Sequence, residues 1–462
     1  KRRDFSLSIA EETLISGLAQ DGIHAWGRLY DQLAGSLTCD VLIGNESESM
    51  GLAQASGLLQ TPDDRTRENA WRSINASWGE HVESCAAAIN AIAGWRLELG
   101  RRRSNKNPMH FLDSAVHMNR ISHTTLDTVL AVAEESIPLA RRAALLQAKA
   151  YGKDQYGPWD QRSPAPTGNG EDRPIPYTEA LELIASAYRS VDPAMGEFVE
   201  MMAERQWIEG TVGPRKRPGA YCTGFPKSRT PRVYMTYTGG ASDVITLAHE
   251  LGHAFHSWTM RDLPDSQQSY GMSLAETAST FGETIVRDAL LERAGTPTEE
   301  LAIAWEETGA LISFILNIPT RFEFEKNFYE ARQERPMRPD ELKVLMSRAW
   351  EKWYGESLSE PDPLFWANKL HFYISGLSFY NFPYLFGYLF SLGVYAKRLT
   401  FGDEFFSRYE GLLRDTGRLT AEDLAAKHLD ADLSQPDFWR ESIAMLKPRV
   451  DHFDKLVDEL AV

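Results

Sequence analysis

The stretch His249-Glu250-Leu251-Gly252-His253 is the starting point for the fold of this chain, because it has the form H-E-x-x-H. Residues four positions apart lie on the same face of a helix. In a helix, the imidazoles of His249 and His253 can therefore reach one common point. Glu250 then projects next to that face. The spacing predicts a helical site in which two imidazoles and one carboxylate act together.

The surrounding residues favour that helix. Apolar side chains recur at helical spacing through residues 242–256, and Ser242 or Asp243 can serve as the N-cap. The flanking residues are largely apolar, which indicates a mostly buried helix. H-E-x-x-H on such a helix is typical of zinc hydrolysis, with the glutamate as the base. A surface helix that carries these residues by chance is the alternative, and the apolar surroundings argue against it.

A catalytic zinc takes three protein ligands and one water. The position six residues beyond the second histidine is Thr259, so a third histidine is excluded there. A carboxylate after the metal helix is the other solution. The candidates in the following residues are Asp262, Asp265, Glu276, Glu283 and Asp288.

Glu276 is favoured among these carboxylates. It lies in a helix predicted over residues 273–294, and small neighbours such as Ala278 and Ser279 would let two helices approach closely. Ser273 and Glu276 also match a capping box, which needs no metal. Glu283 lies seven residues later on the same face, so it is either a rival ligand or a residue behind the ligands. From the spacing alone, these alternatives stay open.

Composition excludes several classes of function. The 462 residues are 43% hydrophobic and 25% charged, which is ordinary for a soluble globular protein. The formal net charge of −16 argues against nucleic-acid binding. We expect no membrane-spanning helix, because no run of about 18 apolar residues occurs. The cysteines Cys39, Cys85 and Cys222 are scattered, which favours a reducing, cytoplasmic location.

The pattern along the chain predicts a mainly α fold with a few short strands beside the metal helix. A Gly- and Pro-rich stretch over residues 151–177 is the preferred boundary. It separates a helical N-terminal region, 1–151, from a catalytic region, 152–462, in which 401–462 form closing C-terminal helices. Residues 210–231 are predicted as a loop. Residues 232–237 are predicted as a strand that either offers its backbone to an extended peptide or is a plain edge strand.

These motifs resemble the oligoendopeptidase F and thimet oligopeptidase family of zinc peptidases, with the oligoendopeptidase F branch nearest. The resemblance rests on the metal helix, on Ala275-Glu276-Thr277-Ala278-Ser279 and on Phe379-Tyr380-Asn381-Phe382-Pro383-Tyr384. It covers nearly the whole chain, although family members usually carry a further amino-terminal part.

The resemblance implies a multi-helical zincin-type fold with a deep substrate channel that admits short unfolded peptides. It implies one Zn²⁺ per chain, held by His249, His253 and Glu276. It also assigns His371, Tyr380 and Tyr384 to a loop that faces the zinc. In the sequence itself, Gly376, Pro383 and Gly387 interrupt this aromatic run and predict a bent loop with exposed phenols. Tyr388 resembles a further tyrosine of the thimet branch, so the choice between Tyr384 and Tyr388 stays open.

Together, these features predict a zinc-dependent endopeptidase that cleaves internal bonds of short peptides. Glu250 would act as general base on a metal-activated water, and His371, Tyr380 and Tyr384 or Tyr388 would stabilise the oxyanion. The alternatives are a helical zinc carboxypeptidase and a peptide-binding protein with structural zinc. Short peptides are the expected partners, and the oligomeric state is not predicted.

Overall fold

The structure is a computed structural model that describes residues 5–104, 108–167, 174–213, 216 and 219–460. Part of the predicted Gly- and Pro-rich boundary, residues 168–173, lies outside the described residues. The described chain is mainly helical with a few short strands, as the sequence predicts. The mainly α fold class is therefore confirmed.

The helices are numbered in chain order. They are α1 (Ile9–Ala19), α2 (Ile23–Ser36), α3 (Leu52–Leu58), α4 (Asp64–Gly79), α5 (Val82–Arg103), α6 (Asp113–Met118), α7 (His123–Glu135), α8 (Ile137–Ala150), α9 (Tyr177–Arg189), α10 (Pro193–Glu204) and α11 (Ala241–Thr259). The second half of the chain adds α12 (Met272–Ala275), α13 (Thr277–Arg293), α14 (Pro297–Ile312), α15 (Ile318–Arg332), α16 (Pro339–Tyr354), α17 (Phe365–Asn368), α18 (Phe382–Phe401), α19 (Phe405–Asp415), α20 (Ala421–His428), α21 (Pro436–Ala444) and α22 (Lys447–Leu460).

The strands form two small sheets. They are β1 (Thr38–Ile43), β2 (Glu46–Gly51), β3 (Ile208–Glu209), β4 (Ala220–Phe225) and β5 (Thr230–Met235). In the first sheet, β1 and β2 form an antiparallel hairpin in which Ile43 pairs with Glu46. Gly44 makes the tight turn possible, because its φ of 62° is unfavourable for residues with a side chain. The polar, largely exposed β2 carries no apolar alternation, so the pattern of its residues did not predict a strand.

The chain divides into two compact units. Residues 1–117, 140–164 and 315–382 form the first, and residues 118–139, 165–314 and 383–462 form the second. The predicted boundary near residue 151 lies inside a segment of the first unit, so the units do not follow the predicted division into 1–151 and 152–462. Each unit is instead assembled from three separate segments of the chain.

Packing in the first unit fixes the irregular segment after residue 372. Arg96 donates hydrogen bonds to the carbonyl oxygens of Ile374, at 2.6 Å, and Leu377. Glu325 accepts the backbone N–H of Phe379 at 2.9 Å. Phe379 has a φ of 53°, a left-handed conformation that disfavours a bulky side chain. The contacts around this segment therefore hold a backbone shape that the local sequence disfavours.

The second unit contains the three-stranded sheet and the metal helix α11. The strand order is β3-β5-β4, with β4 antiparallel and β3 parallel to β5. The predicted strand over residues 232–237 is thus the central β5, and the two edge strands are β4 and the two-residue β3. Residues 220–225 were expected in a loop, and that expectation was wrong. An extended ligand can pair with β4 but not with β5, because β5 has a neighbour on each side.

One helical run in the described chain, Pro297–Arg332, is long and apolar enough for a membrane span by length and composition. In its most apolar window, 67% of the residues are buried within the protein. The core helices of soluble proteins have the same length and composition.

Candidate metal centre

The H-E-x-x-H stretch lies in the middle of α11, as the sequence predicts. The predicted N-cap is wrong, because Gly240 occupies that position and provides no side chain. Asp243 instead accepts the backbone N–H groups of Thr238, at 2.7 Å, and Gly239, at 3.0 Å. Its carboxylate therefore braces the turn between the sheet and the metal helix.

The structure brings His249, His253 and Glu276 together. Oε2 of Glu276 lies 3.4 Å from Nε2 of His249 and 3.5 Å from Nε2 of His253. One ligand atom from each residue lies within 4.8 Å of the other two. All three side chains are half-buried, so the donor atoms face a shared space at the protein interior.

Glu276 reaches this position because the predicted helix over residues 273–294 is broken. It lies between α12 and α13, with φ −86° and ψ 4°. The hydroxyl of Ser279 donates to its Oε2 at 2.8 Å, which helps to orient the carboxylate. The capping-box alternative is wrong, because the Ser273 hydroxyl donates to the carbonyl oxygen of Asn119 at 2.8 Å.

A close contact between α11 and α13 sets the distance from Glu276 to the histidines. A Cβ atom on Gly252 would lie 2.6 Å from the Cα of Ser279, which is closer than side-chain atoms approach backbone. Only glycine fits at this crossing. The small residues Ala278 and Ser279 supply the other side of it, as their size predicts.

Glu250 has the burial and the open acceptor atom that a general base needs. Its side chain is 6% exposed, and its Oε2 has no hydrogen-bond partner among the described residues. Burial raises the pKa of Glu250 to about 6, and the backbone N–H of Cys222 on β4 opposes that rise. A buried carboxylate with a free acceptor and a raised pKa can take up a proton near neutral pH.

Glu283 lies behind the histidine pair. Its Oε1 is 2.5 Å from Nδ1 of His249, and its Oε2 is 3.2 Å from the guanidinium of Arg287. Burial opposes ionisation of Glu283, but His249 and Arg287 outweigh it and lower its pKa. Glu283 is therefore a partner of His249, a predicted metal ligand, and leaves Nε2 of His249 available to a metal ion. Of its partners, Arg287 had no role in the sequence-based prediction, although its i,i+4 spacing from Glu283 was visible.

The protonation of the two histidines is linked to this arrangement. Burial disfavours a charged His249, but the hydrogen bond to Glu283 and the nearby carboxylates outweigh it and raise its pKa. Burial and the charge on His249 lower the pKa of His253. Metal ligands must be deprotonated, so a cation that binds here would displace the proton of His249.

The donor set fits a catalytic zinc ion. Two imidazole nitrogens and one carboxylate oxygen are a ligand set of zinc hydrolases, which leaves the fourth position for water or substrate. Glu283 supplies the carboxylate that such ligating histidines usually contact through their other nitrogen. The unpartnered Oε2 of Glu250 adds an acceptor beside the ligands. The residues present therefore match the group that the motif implies.

A cavity of about 180 Å³ opens beside His249 and Glu276. Its walls come from α11, α13, α14 and α18, with Glu276 just before α13 and Phe314 just after α14. The lining comprises His249, Glu276, Thr280, Glu283, Thr284, Arg287, Glu307, Ala310, Phe314, Tyr384, Tyr388 and Leu392. Aromatic and aliphatic side chains thus share the lining with charged ones. The cavity can receive an apolar group next to the metal ligands.

Tyr384 and Tyr388 both line this cavity from α18. The predicted bent loop is present around Gly376, where the backbone is irregular, but it does not extend to Pro383 and Gly387, because both lie within the helix Phe382–Phe401. Tyr388 is 6% exposed and stacks on Phe314 with ring centroids 4.5 Å apart. Tyr384 is half-buried. Of the two phenols, that of Tyr384 is therefore the more accessible to a ligand.

His371 and Tyr380 belong to the first unit. Nδ1 of His371 lies 2.7 Å from Oδ1 of Asn381, and its ring meets that of Tyr380 edge-on with centroids 5.2 Å apart. Burial lowers the pKa of His371 to about 4, which keeps the imidazole neutral at pH 7. The structure thus joins these two predicted residues to each other, and their action on a ligand of the metal centre stays a prediction.

Residues 57–441 match the model of peptidase family M3. The chain belongs to peptidase family M3. The resemblance stated from the motifs is thereby confirmed. The family match includes all residues of the metal centre, as well as His371, Tyr380 and Tyr384.

Several relatives agree with the family. The chain is 21% identical over 403 residues to oligopeptidase PepF of Bacillus subtilis, with 86% of this chain and 59% of that protein covered. It is 25% identical over 410 residues to group B oligopeptidase PepB of Streptococcus agalactiae, with 86% of this chain and 65% of that protein covered. The chain therefore spans about three fifths of the length of these relatives.

The fold is shared with a solved member of the same group. Oligoendopeptidase-F from Enterococcus faecium superposes with a TM-score of 0.75 at 19% sequence identity. The match covers 99% of this chain and 76% of that one. The TM-score establishes a common fold. At such low identity, the chemistry has to be argued from the residues of the centre itself.

Proposed function

We propose that this member of peptidase family M3 is a zinc-dependent oligopeptidase that hydrolyses internal bonds of short, unfolded peptides. The observation that carries the proposal is the convergence of His249, His253 and Glu276 beside the buried, unpartnered Oε2 of Glu250. A structural zinc site would have no use for such a carboxylate. The names of the relatives, which are oligopeptidases, support short peptides as substrates.

His249, His253 and Glu276 would hold the metal, and Glu283 would orient His249. When bound, zinc supplies a Lewis acid that polarises the scissile carbonyl and makes a water molecule more acidic. Glu250 accepts a proton from the attacking water through its free Oε2 and then delivers this proton to the leaving amine. Its pKa of about 6 lets one residue perform both transfers near neutral pH.

Neutral donors would stabilise the oxyanion that forms on the carbonyl carbon. Tyr384 is suited to this role because it lines the cavity beside Glu276 and its phenol carries an O–H donor. His371 and Tyr380 would add further donors from the first unit. The edge strand β4, whose Cys222 N–H contacts Glu250, offers backbone groups to an extended peptide.

The proposal also includes the cellular compartment and the identity of the metal. The cysteines Cys39, Cys85 and Cys222 are free thiols, which supports a reducing compartment such as the cytoplasm. The choice of zinc over other divalent metals rests on the mixed imidazole and carboxylate ligands.

The decisive experiment uses a short peptide blocked at both ends, with a fluorophore and a quencher flanking internal bonds. Protein with a measured zinc content is assayed with and without a chelator. Chelator-sensitive internal cleavage is expected, and the E250Q variant is expected to keep zinc and lose cleavage. Cleavage only of peptides with a free C-terminus would favour a carboxypeptidase. Peptide binding without cleavage by the zinc-loaded protein would favour a binding protein.

A further inference from the structure

A row of alternating charges connects the C-terminal helix α22 with the metal centre. Beyond Glu283, the guanidinium of Arg287 lies 3.9 Å from Oε1 of Glu307. The same oxygen of Glu307 accepts a hydrogen bond from Arg449 on α22. Arg449 also lies 3.3 Å from Oδ1 of Asp288. All these residues belong to the second unit.

The middle of the row is largely buried, so its charges must be balanced by one another rather than by solvent. The side chains of Arg287, Glu307 and Arg449 are 8%, 6% and 15% exposed. A buried ion whose partner is removed is strongly destabilising, so each member must keep a partner. Arg287 stands between two carboxylates and can approach either one. Glu307 and Glu283 compete for Arg287. Arg449 weakens the competition from Glu307, because it compensates the charge of Glu307.

We propose that Arg449 is a positioning residue for the metal, acting through Glu307 and Arg287 to keep the Glu283 carboxylate on His249. While Arg449 compensates Glu307, Arg287 remains free to hold Oε2 of Glu283, and Oε1 of Glu283 stays on Nδ1 of His249. The affinity of the centre for zinc thereby depends on the docking of the C-terminal helix. This inference rests on the metal site of the proposed function.

This competition predicts whether each substitution weakens zinc binding or leaves it unchanged. In R449M, Glu307 has Arg287 as its remaining cationic partner in the row, so it draws Arg287 away from Glu283 and loosens His249. In E307Q, the competitor is gone and Arg287 stays on Glu283. The double variant E307Q/R449M removes both the competitor and its partner, so it should restore the contact that R449M loses.

The test is the zinc dissociation constant of the full 462-residue chain, measured with Zn²⁺ alone against a chromophoric chelator, without any peptide. R449M is expected to weaken zinc binding about 10-fold, at the low end of the effect of changing residues around metal ligands. E307Q and E307Q/R449M are expected to bind like the parent. R440M is the matched control, because Arg440 lies on the neighbouring helix α21 and forms an exposed ion pair with Glu135 of α7.

Two outcomes would overturn the inference. An unchanged zinc affinity in folded R449M would show that the row only supports the fold. An equal loss in R449M and in the double variant would show that α22 docking matters without the competition through Glu307. If R449M does not fold, E307Q decides, since weaker zinc binding in that variant contradicts the proposed competition. A parent chain that binds no zinc would overturn the proposed function as well.

Discussion

The Nδ1 atom of His249 lies 2.5 Å from Oε1 of Glu283, so a half-buried carboxylate holds the ring of this proposed metal ligand from behind. This contact leaves Nε2 of His249 as the atom that faces Glu276. The orientation and the basicity of the imidazole both depend on such a partner. Glu283 is therefore expected to matter for metal affinity without touching the metal.

Replacing Glu283 by alanine should weaken zinc binding by roughly 10- to 100-fold, because His249 loses the group that orients it. The measurement is a zinc titration in competition with a chelator. E292A provides the control, since Glu292 is exposed on the same helix. Equal zinc affinities for E283A and E292A would contradict this role for Glu283.

Replacing Glu250 by glutamine should leave zinc stoichiometry unchanged and lower kcat by roughly 10²- to 10⁴-fold, the range for loss of a general base. Glutamine keeps the size of the side chain but cannot take up the proton. Metal content and steady-state cleavage of the blocked peptide are measured on the same sample. Normal turnover in zinc-loaded E250Q would remove Glu250 from the base role.

Replacing Gly252 by alanine should separate α11 from α13 and move Glu276 away from the histidines. The clash with Ser279 is expected to lower the free energy of unfolding by about 1–3 kcal/mol, as overpacking usually does. Zinc affinity should fall as well. Thermal unfolding and the zinc titration measure the two effects.

The matched control is G100A in α5, because a Cβ on Gly100 meets no atom of the described residues within 4 Å. Alanine there should stabilise the helix by up to about 1 kcal/mol. A G252A variant as stable as G100A, with zinc affinity intact, would show that the helices can separate without cost.

Substitutions of the two tyrosines of α18 should differ in their effects on turnover. Y384F is expected to lower kcat by roughly 10-fold or more with little change in KM, because its hydroxyl would stabilise charge that develops during the reaction. Y388F should change kcat little, because Tyr388 is buried against Phe314. A larger loss in Y388F than in Y384F would reverse the assignment.

A pH dependence of stability is expected from Glu325 in the first unit. Burial raises the pKa of Glu325 to about 7, against 4.5 for an exposed glutamate. The folded state therefore binds more protons than the unfolded state between these values. The resulting stabilisation is complete below pH 4.5 and is lost as the pH rises through 7, by up to about 3 kcal/mol.

E325Q should flatten this part of the pH profile while keeping an acceptor for the N–H of Phe379. Chemical unfolding of the parent and of E325Q between pH 4.5 and 8 measures the difference. E330Q, at an exposed position of α15, should follow the parent. A profile of E325Q that parallels the parent would show that Glu325 titrates normally.

The sequence alone determined the helical class and the principal residues of the centre. His249, Glu250 and His253 could be predicted because they are neighbours on one helix, and helical geometry depends only on spacing. Glu276 was the favoured carboxylate because small residues surround it. Their roles in metal binding and catalysis stay predictions until zinc and turnover are measured.

Only the tertiary structure decided which contacts these residues make. The helix breaks at Glu276, and its carboxylate turns to the histidines, because Gly252 lets α11 press against α13. Glu283 became the partner of His249 for the same reason. The contacts of Glu276 and Glu283 with the two histidines join residues 23 to 34 positions apart in the chain, and no local periodicity encodes them.

Tertiary packing also decided the edge strand β4 and the two compact units. Strand β4 exists because β5 pairs with it, while its own exposed residues carry no clear alternation. The units combine distant segments because burial of apolar surface does not depend on order along the chain. Local sequence thus specified the chemistry of single elements, and packing between elements specified which of their side chains meet.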